Sequence, residues 1–144
     1  MTVYLTPPTN FKPAIEVAAC YVEYQERILL LLRQSHKPQG NTWCLPGGKL
    51  DQHDTPLEAV LREVREETQI KLKPSEVTFF KSLYVVYPEM DFIYHLFHSQ
   101  LRYKPQVKLS PNEHKKHIWP MPKNAITLPL TPGEDFCMKM FYRL

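Results

Sequence analysis

From Ala14 to Glu23 the chain alternates. Ile15, Val17, Ala19 and Tyr21 share one side of an extended segment, and Ala18, Cys20 and Val22 share the other. Both sides are mostly apolar, which predicts a strand covered on both faces. A polar turn, Glu23 to Glu26, leads to a second strand, Arg27 to Arg33, with an unbroken apolar centre from Ile28 to Leu32. The period then changes. Leu57, Val60, Leu61, Val64 and Thr68 recur at three- and four-residue steps, the spacing of one helical face. Thr55 reads as the N-cap, Pro56 as the first helical position and Glu58 as the reciprocal partner of a capping box. Alternation returns in Val77 to Tyr87 and Phe92 to Leu101, segments rich in aromatic and β-branched residues. The turn Pro88-Glu89-Met90-Asp91 joins them into a predicted antiparallel hairpin. Near the end, Thr131-Pro132-Gly133-Glu134 repeats the earlier Thr-Pro-x-Glu cap. It predicts a last helix to Tyr142, packed through Phe136, Cys137 and Met140. Strands, helix, strands and helix in 144 residues predict one α/β domain over 13–144, preceded by a loosely packed arm, 1–12.

The first helix has a second face. Glu63, Glu66 and Glu67 are related by i,i+3 and i,i+4 steps, so three carboxylates share an arc beside the apolar one. Arg62 lies four residues from both Glu58 and Glu66 and can brace the row. Like charges this close repel and raise one another's pKa. A bound hard cation relieves the repulsion, and an all-oxygen ligand set suits Mg²⁺ or Mn²⁺. In front of the helix stands Leu45-Pro46-Gly47-Gly48-Lys49. The two glycines allow the backbone to come close to an ion or a phosphate. A solvated acidic helix face is the plainer reading, but it leaves the Gly-Gly approach unexplained.

This stretch resembles the Nudix box, the signature of the Nudix hydrolases: Gly, five residues, Glu, seven residues, then Arg-Glu-apolar-any-Glu-Glu-any-Gly-apolar. Gly48, Arg62, Glu63, Val64, Glu66, Glu67 and Ile70 fall in place. Asp54 stands where the family has Glu, and Gln69 where it has Gly. The resemblance implies the Nudix fold, an α/β/α sandwich with a mixed sheet between the box helix and a C-terminal helix. It implies Mg²⁺- or Mn²⁺-dependent hydrolysis of a pyrophosphate bond in a nucleoside diphosphate linked to another group. Glu63, Glu66 and Glu67 are then the metal ligands, with the Gly47 carbonyl added, and Arg62 orients the glutamates. By the same resemblance Glu113, in a late loop before Trp119, joins the metals or acts as base, with a plain surface residue as the alternative; a box glutamate is the other candidate for the base. Arg33, at a strand end, becomes a phosphate contact, with a solvated strand terminus as the alternative. Lys49 joins the expected substrate contacts; the hairpin aromatics read first as a two-sided core strand, with Tyr87 and Phe92, near the strand ends, as the candidates to stack a base.

A MutT-like (deoxy)nucleoside triphosphate pyrophosphohydrolase is the first expectation for the activity. ADP-ribose, dinucleoside polyphosphates, nucleotide sugars and pterin triphosphates stay open, as does a catalytically silent domain that only binds nucleotide. Composition narrows this little. A net charge of +3 is too mild to argue for nucleic acid, although with an acidic helix it leaves the remaining surface basic. Cys20, Cys44 and Cys137 share no metal spacing and suit reduced thiols. The start of the chain lacks the basic and apolar regions of a signal peptide, and no apolar run reaches membrane-spanning length. The expectation is a cytoplasmic enzyme with a small-molecule substrate and no membrane partner; a homodimer stays open. His114 and His117 have helical ligand spacing without a Cys pair or HExxH context, so zinc there is weakly supported. His95 and His98 face opposite ways on a strand.

Overall fold

A computed structural model describes residues 1–144. In chain order the elements are β1 (Thr2–Tyr4), β2 (Pro13–Tyr24), β3 (Arg27–Ile28), β4 (Leu30–Arg33), β5 (Trp43–Cys44), β6 (Gly47–Lys49), α1 (Pro56–Thr68), β7 (Thr78–Val86), β8 (Asp91–Leu101), β9 (His114–Ile118), α2 (Pro122–Ala125) and α3 (Glu134–Tyr142). The main sheet runs β1-β7-β8-β2-β3, with β6 also paired to β2. It is mixed: β2 and β8 are parallel, and the other pairs are antiparallel. A smaller sheet has the order β5-β4-β9.

The alternation in β2 divides the core. Ala18, Cys20 and Val22 pack with Val60 and Val64 of α1. Ala19 and Tyr21 pack on the other face with Leu83, Leu96 and the α3 residues Cys137 and Met138. The sheet therefore lies between the first and last helices, the α/β/α arrangement expected. The hairpin β7–β8 forms with Val86 opposite Asp91. No helix is long and apolar enough to cross a membrane. All three cysteines are free thiols.

Several local expectations change. Residues 2–4, expected within a loose arm, pair antiparallel with β7, and Val3 packs on the α3-side core. The strand expected over Arg27–Arg33 divides at Leu29: β3 pairs β2, whereas β4 pairs β5 and β9. An unbroken apolar run is buried in either sheet, so its periodicity cannot reveal a change of partner. His114–Ile118 is a strand rather than a loop, which puts His114 in the interior and leaves His117 exposed. That arrangement removes the shared-metal reading of the pair. His95 and His98 do part: His95 bonds Ser82 and Glu16, and His98 bonds Glu23.

The two helix starts also differ. At α1, Thr55 Oγ1 accepts from the Glu58 amide (3.1 Å) and Glu58 Oε1 accepts from the Thr55 amide (2.9 Å), the expected capping box. At α3 the cap is Gly133 at φ 93°, with no side-chain hydrogen bond. Thr131 Oγ1 instead pairs with the Thr42 hydroxyl (3.0 Å) and the Trp43 carbonyl (3.3 Å). Phe136, expected in the core, is 46% exposed. Phe141 takes that part, stacked on Tyr21 at 4.8 Å.

The end of α1 explains one departure from the box. Gln69 occupies the left-handed region at φ 65° and donates its amide to Arg65 O at 2.8 Å. Glycine adopts that conformation without the Cβ penalty. Gln69→Gly should therefore stabilise the chain by about 1 kcal/mol, and Thr55→Ala should cost about 1 kcal/mol. Urea denaturation of the two variants checks both signs.

Candidate active site

Helix α1 delivers its carboxylates to one place because β6 passes directly beneath it. β6 pairs with β2 in the register Ala19–Gly47, Ala18–Gly48 and Val17–Lys49. A Cβ on Gly47 would collide with the Ala18 carbonyl and Ala19, and a Cβ on Gly48 would collide with the Glu63 carboxylate. Both glycines are therefore required by close approach. Glu67 Oε1 accepts from the Gly47 amide at 2.8 Å, which locks helix to strand.

The carboxylates are not equivalent. Glu67 is buried, 8% exposed. Burial pushes its pKa up to about 8; Glu63 and Glu113 repel its charge, while the Gly47 amide and Arg33 favour it. The pKa of Glu63 is also raised, first by burial and then by Glu66. Arg62 binds Asp54 and lies 3.6 Å from Glu63 and 3.8 Å from Glu66. It also donates to the Lys49 carbonyl at 3.2 Å. Asp54 thus serves as the anchor of Arg62, whose hydrogen bond holds its carboxyl below the usual range. The shorter side chain reaches Arg62 directly.

These groups open onto a cavity of about 570 Å³. The box supplies Gly47, Gly48, Lys49, Glu63, Glu66 and Glu67 to its lining. Arg33 comes from the end of β4 and Glu113 from the turn before β9. Tyr87 and Phe92, from the two sides of the hairpin turn, line it as well, with rings 5.2 Å apart and perpendicular. Of the ten residues predicted for the site, nine line this one cavity, and Arg62 braces them from outside it. The Arg33 guanidinium donates to Pro38 O at 2.8 Å, and Glu113 is paired with Lys37 at 3.0 Å.

Other lining residues carry no motif. Tyr94 donates to Glu134 Oε1 at 2.9 Å. Burial pushes the pKa of this carboxyl up to about 7, against the Tyr94 hydroxyl and the Leu45 amide, which favour its charge; Oε2 is buried and makes no close hydrogen bond. The Thr-Pro-x-Glu run marks Glu134 as a helix-cap residue, which hides its place on the cavity wall. His114 lies 3.6 Å from Cys44 Sγ, and burial lowers its pKa to about 4, so the ring is neutral at pH 7.

The donor set fits a hard divalent ion. It consists of carboxylates with a glycine backbone beside them, and two of the carboxyls, Glu63 and Glu67, have their ionisation opposed by burial and by neighbouring acids. As the side chains stand, no three carboxylate, Cys or His groups are close enough to hold one ion together.

A family model described as the NUDIX domain matches residues 12–139. The chain belongs to the Nudix family and is a Nudix hydrolase. It is similar to the CTP pyrophosphohydrolase of Escherichia coli strain K12, with 28% identity over 90% of this chain and 93% of that one. The crystal structure of a MutT protein from Methanosarcina mazei Go1 aligns with a TM-score of 0.80 and 26% identity, over 92% of this chain and 95% of that one. A bifunctional NMN adenylyltransferase/ADP-ribose pyrophosphatase from Francisella tularensis, complexed with AMP and Mn ion, shares the fold. Its TM-score is 0.71 at 23% identity, over 94% of this chain and 43% of that one.

The raised pKa of Glu67 has a consequence for stability without metal. The folded state holds the proton more tightly than the unfolded chain, so stability falls as pH rises from the ordinary carboxylate range through about 8. In chelator, Glu67→Gln should melt higher than the parent at pH 8 and lose that advantage at pH 5. Thermal melts at the two pH values check this.

Proposed function

We propose that this Nudix hydrolase cleaves a (deoxy)nucleoside triphosphate to the monophosphate and pyrophosphate with Mg²⁺ or Mn²⁺. The observation that carries the reading is the shared cavity. The box carboxylates, two cationic side chains and a perpendicular aromatic pair open onto one space. Its size is ordinary for a small-molecule site. One relative supports the substrate class, being named a CTP pyrophosphohydrolase.

In this reading Arg33 and Lys49 draw the triphosphate in and neutralise part of its charge. Tyr87 and Phe92 offer ring faces and edges to the nucleoside. Glu63, Glu66 and Glu67 would hold the ion, with the Gly47 carbonyl as an added ligand. When bound, the ion neutralises phosphate oxygens and makes a water more acidic. Arg62 keeps Glu63 and Glu66 in place through its contacts with both. Glu67 or Glu113 takes the proton from the attacking water. The three free thiols suit a reducing compartment, and we place the enzyme in the cytoplasm.

A panel of nucleoside triphosphates, ADP-ribose and dinucleoside polyphosphates, incubated with and without chelator and read by phosphorus NMR, tests the assignment. The expected result is monophosphate plus pyrophosphate from a triphosphate, only with the metal. Glu67→Gln should keep the circular dichroism spectrum and lower kcat by about 100-fold or more. A variant as active as the parent would refute the role given to Glu67.

A further inference from the structure

Glu113 reaches the cavity from a segment fastened to the loop after β4. The Gln34 amide donates to Glu113 O at 3.0 Å, and the Gln34 side chain donates to Pro111 O at 2.8 Å. That loop is closed on itself. Arg33 donates its amide to Thr42 O at 3.0 Å and accepts from the Asn41 amide at 3.0 Å. A Cβ on Gly40 would strike the Ser35 carbonyl, so the loop path leaves little slack. On this frame Lys37 makes the single ion pair of Glu113, at 3.0 Å. The partners are 28% and 41% exposed, at the rim rather than the floor. Glu113 lines the same cavity as Glu63, Glu66 and Glu67, and its charge opposes that of Glu67.

A carboxylate set between an ammonium and a cluster of carboxylates has two competing uses. It can pair with Lys37, or it can turn toward a cation held by the box. We propose that Lys37 is the positioning residue of Glu113: its ammonium keeps that carboxylate at the rim and competes for it with the divalent ion. This rests on the metal-dependent reading above. Lys37 thereby lowers the affinity of the empty cavity for metal, and entry of a polyphosphate, which offers the ammonium a new anion, releases Glu113.

The test is a Mn²⁺ titration in the absence of nucleotide, with free ion followed by electron paramagnetic resonance. Lys37→Met keeps most of the stem and removes the charge. It should tighten Mn²⁺ binding by about two- to fivefold, the range a partly exposed ion pair spans. Lys37→Arg should behave as the parent does. In a Glu113→Gln background, Lys37→Met should change nothing, because the contested group is gone. Unchanged or weaker binding in Lys37→Met overturns the proposal. So does equal tightening in the Glu113→Gln background, which would reduce Lys37 to a general positive charge near the site. Absence of saturable Mn²⁺ binding in the parent would overturn the metal-dependent reading itself. Saturable binding that ignores Lys37 would remove this inference alone.

Discussion

The carboxylate of Glu67 accepts one hydrogen bond, from the Gly47 amide, and is otherwise shut away from water with other acids as neighbours. A buried charge is tolerated when it is paired, and burial otherwise favours the protonated form. The one cation bracing the box row, Arg62, is 3.6 Å from Glu63 and 3.8 Å from Glu66, with its shortest contact to Asp54. The site is thus held in a state that a hard cation would improve. That unresolved charge is the constraint around which the surrounding structure is arranged.

The fold supplies what the constraint needs. Helix α1 stands on β6 with glycines where any side chain would collide, so carboxylate and backbone meet closely. The sheet beneath is buried on both faces, which fixes β6 through its pairing with β2. The parallel pairing of β2 with β8 then puts Phe92 and Tyr94 beside Ile15 and Val17, on the same cavity wall. Charged and aromatic groups far apart in sequence therefore share one space because of sheet register.

Much of this is legible in the amino-acid sequence. Periodicity locates α1, β2 and the hairpin, and cap chemistry sets the start of α1 to the residue. The box spacing names the carboxylates, since residues three and four apart on a helix must share a side. What escapes depends on partners distant in sequence. The run Arg27–Arg33 has an unbroken apolar centre, so nothing local shows that it serves two sheets. Gly133 rather than Thr131 caps α3, because Thr131 is bound to Thr42 and Trp43 across the fold. Glu134, His114 and Cys44 line the cavity through tertiary placement alone. No spacing rule links them to the box.

If the carboxylates are frustrated until an ion arrives, metal binding must displace a proton. Calorimetric titration with Mg²⁺ at pH 7, in two buffers of different ionisation enthalpy, measures this directly. The account predicts saturable binding with release of roughly one proton per ion, and loss of that release in Glu67→Gln. Saturable binding with no proton released, or no binding at all, would contradict it.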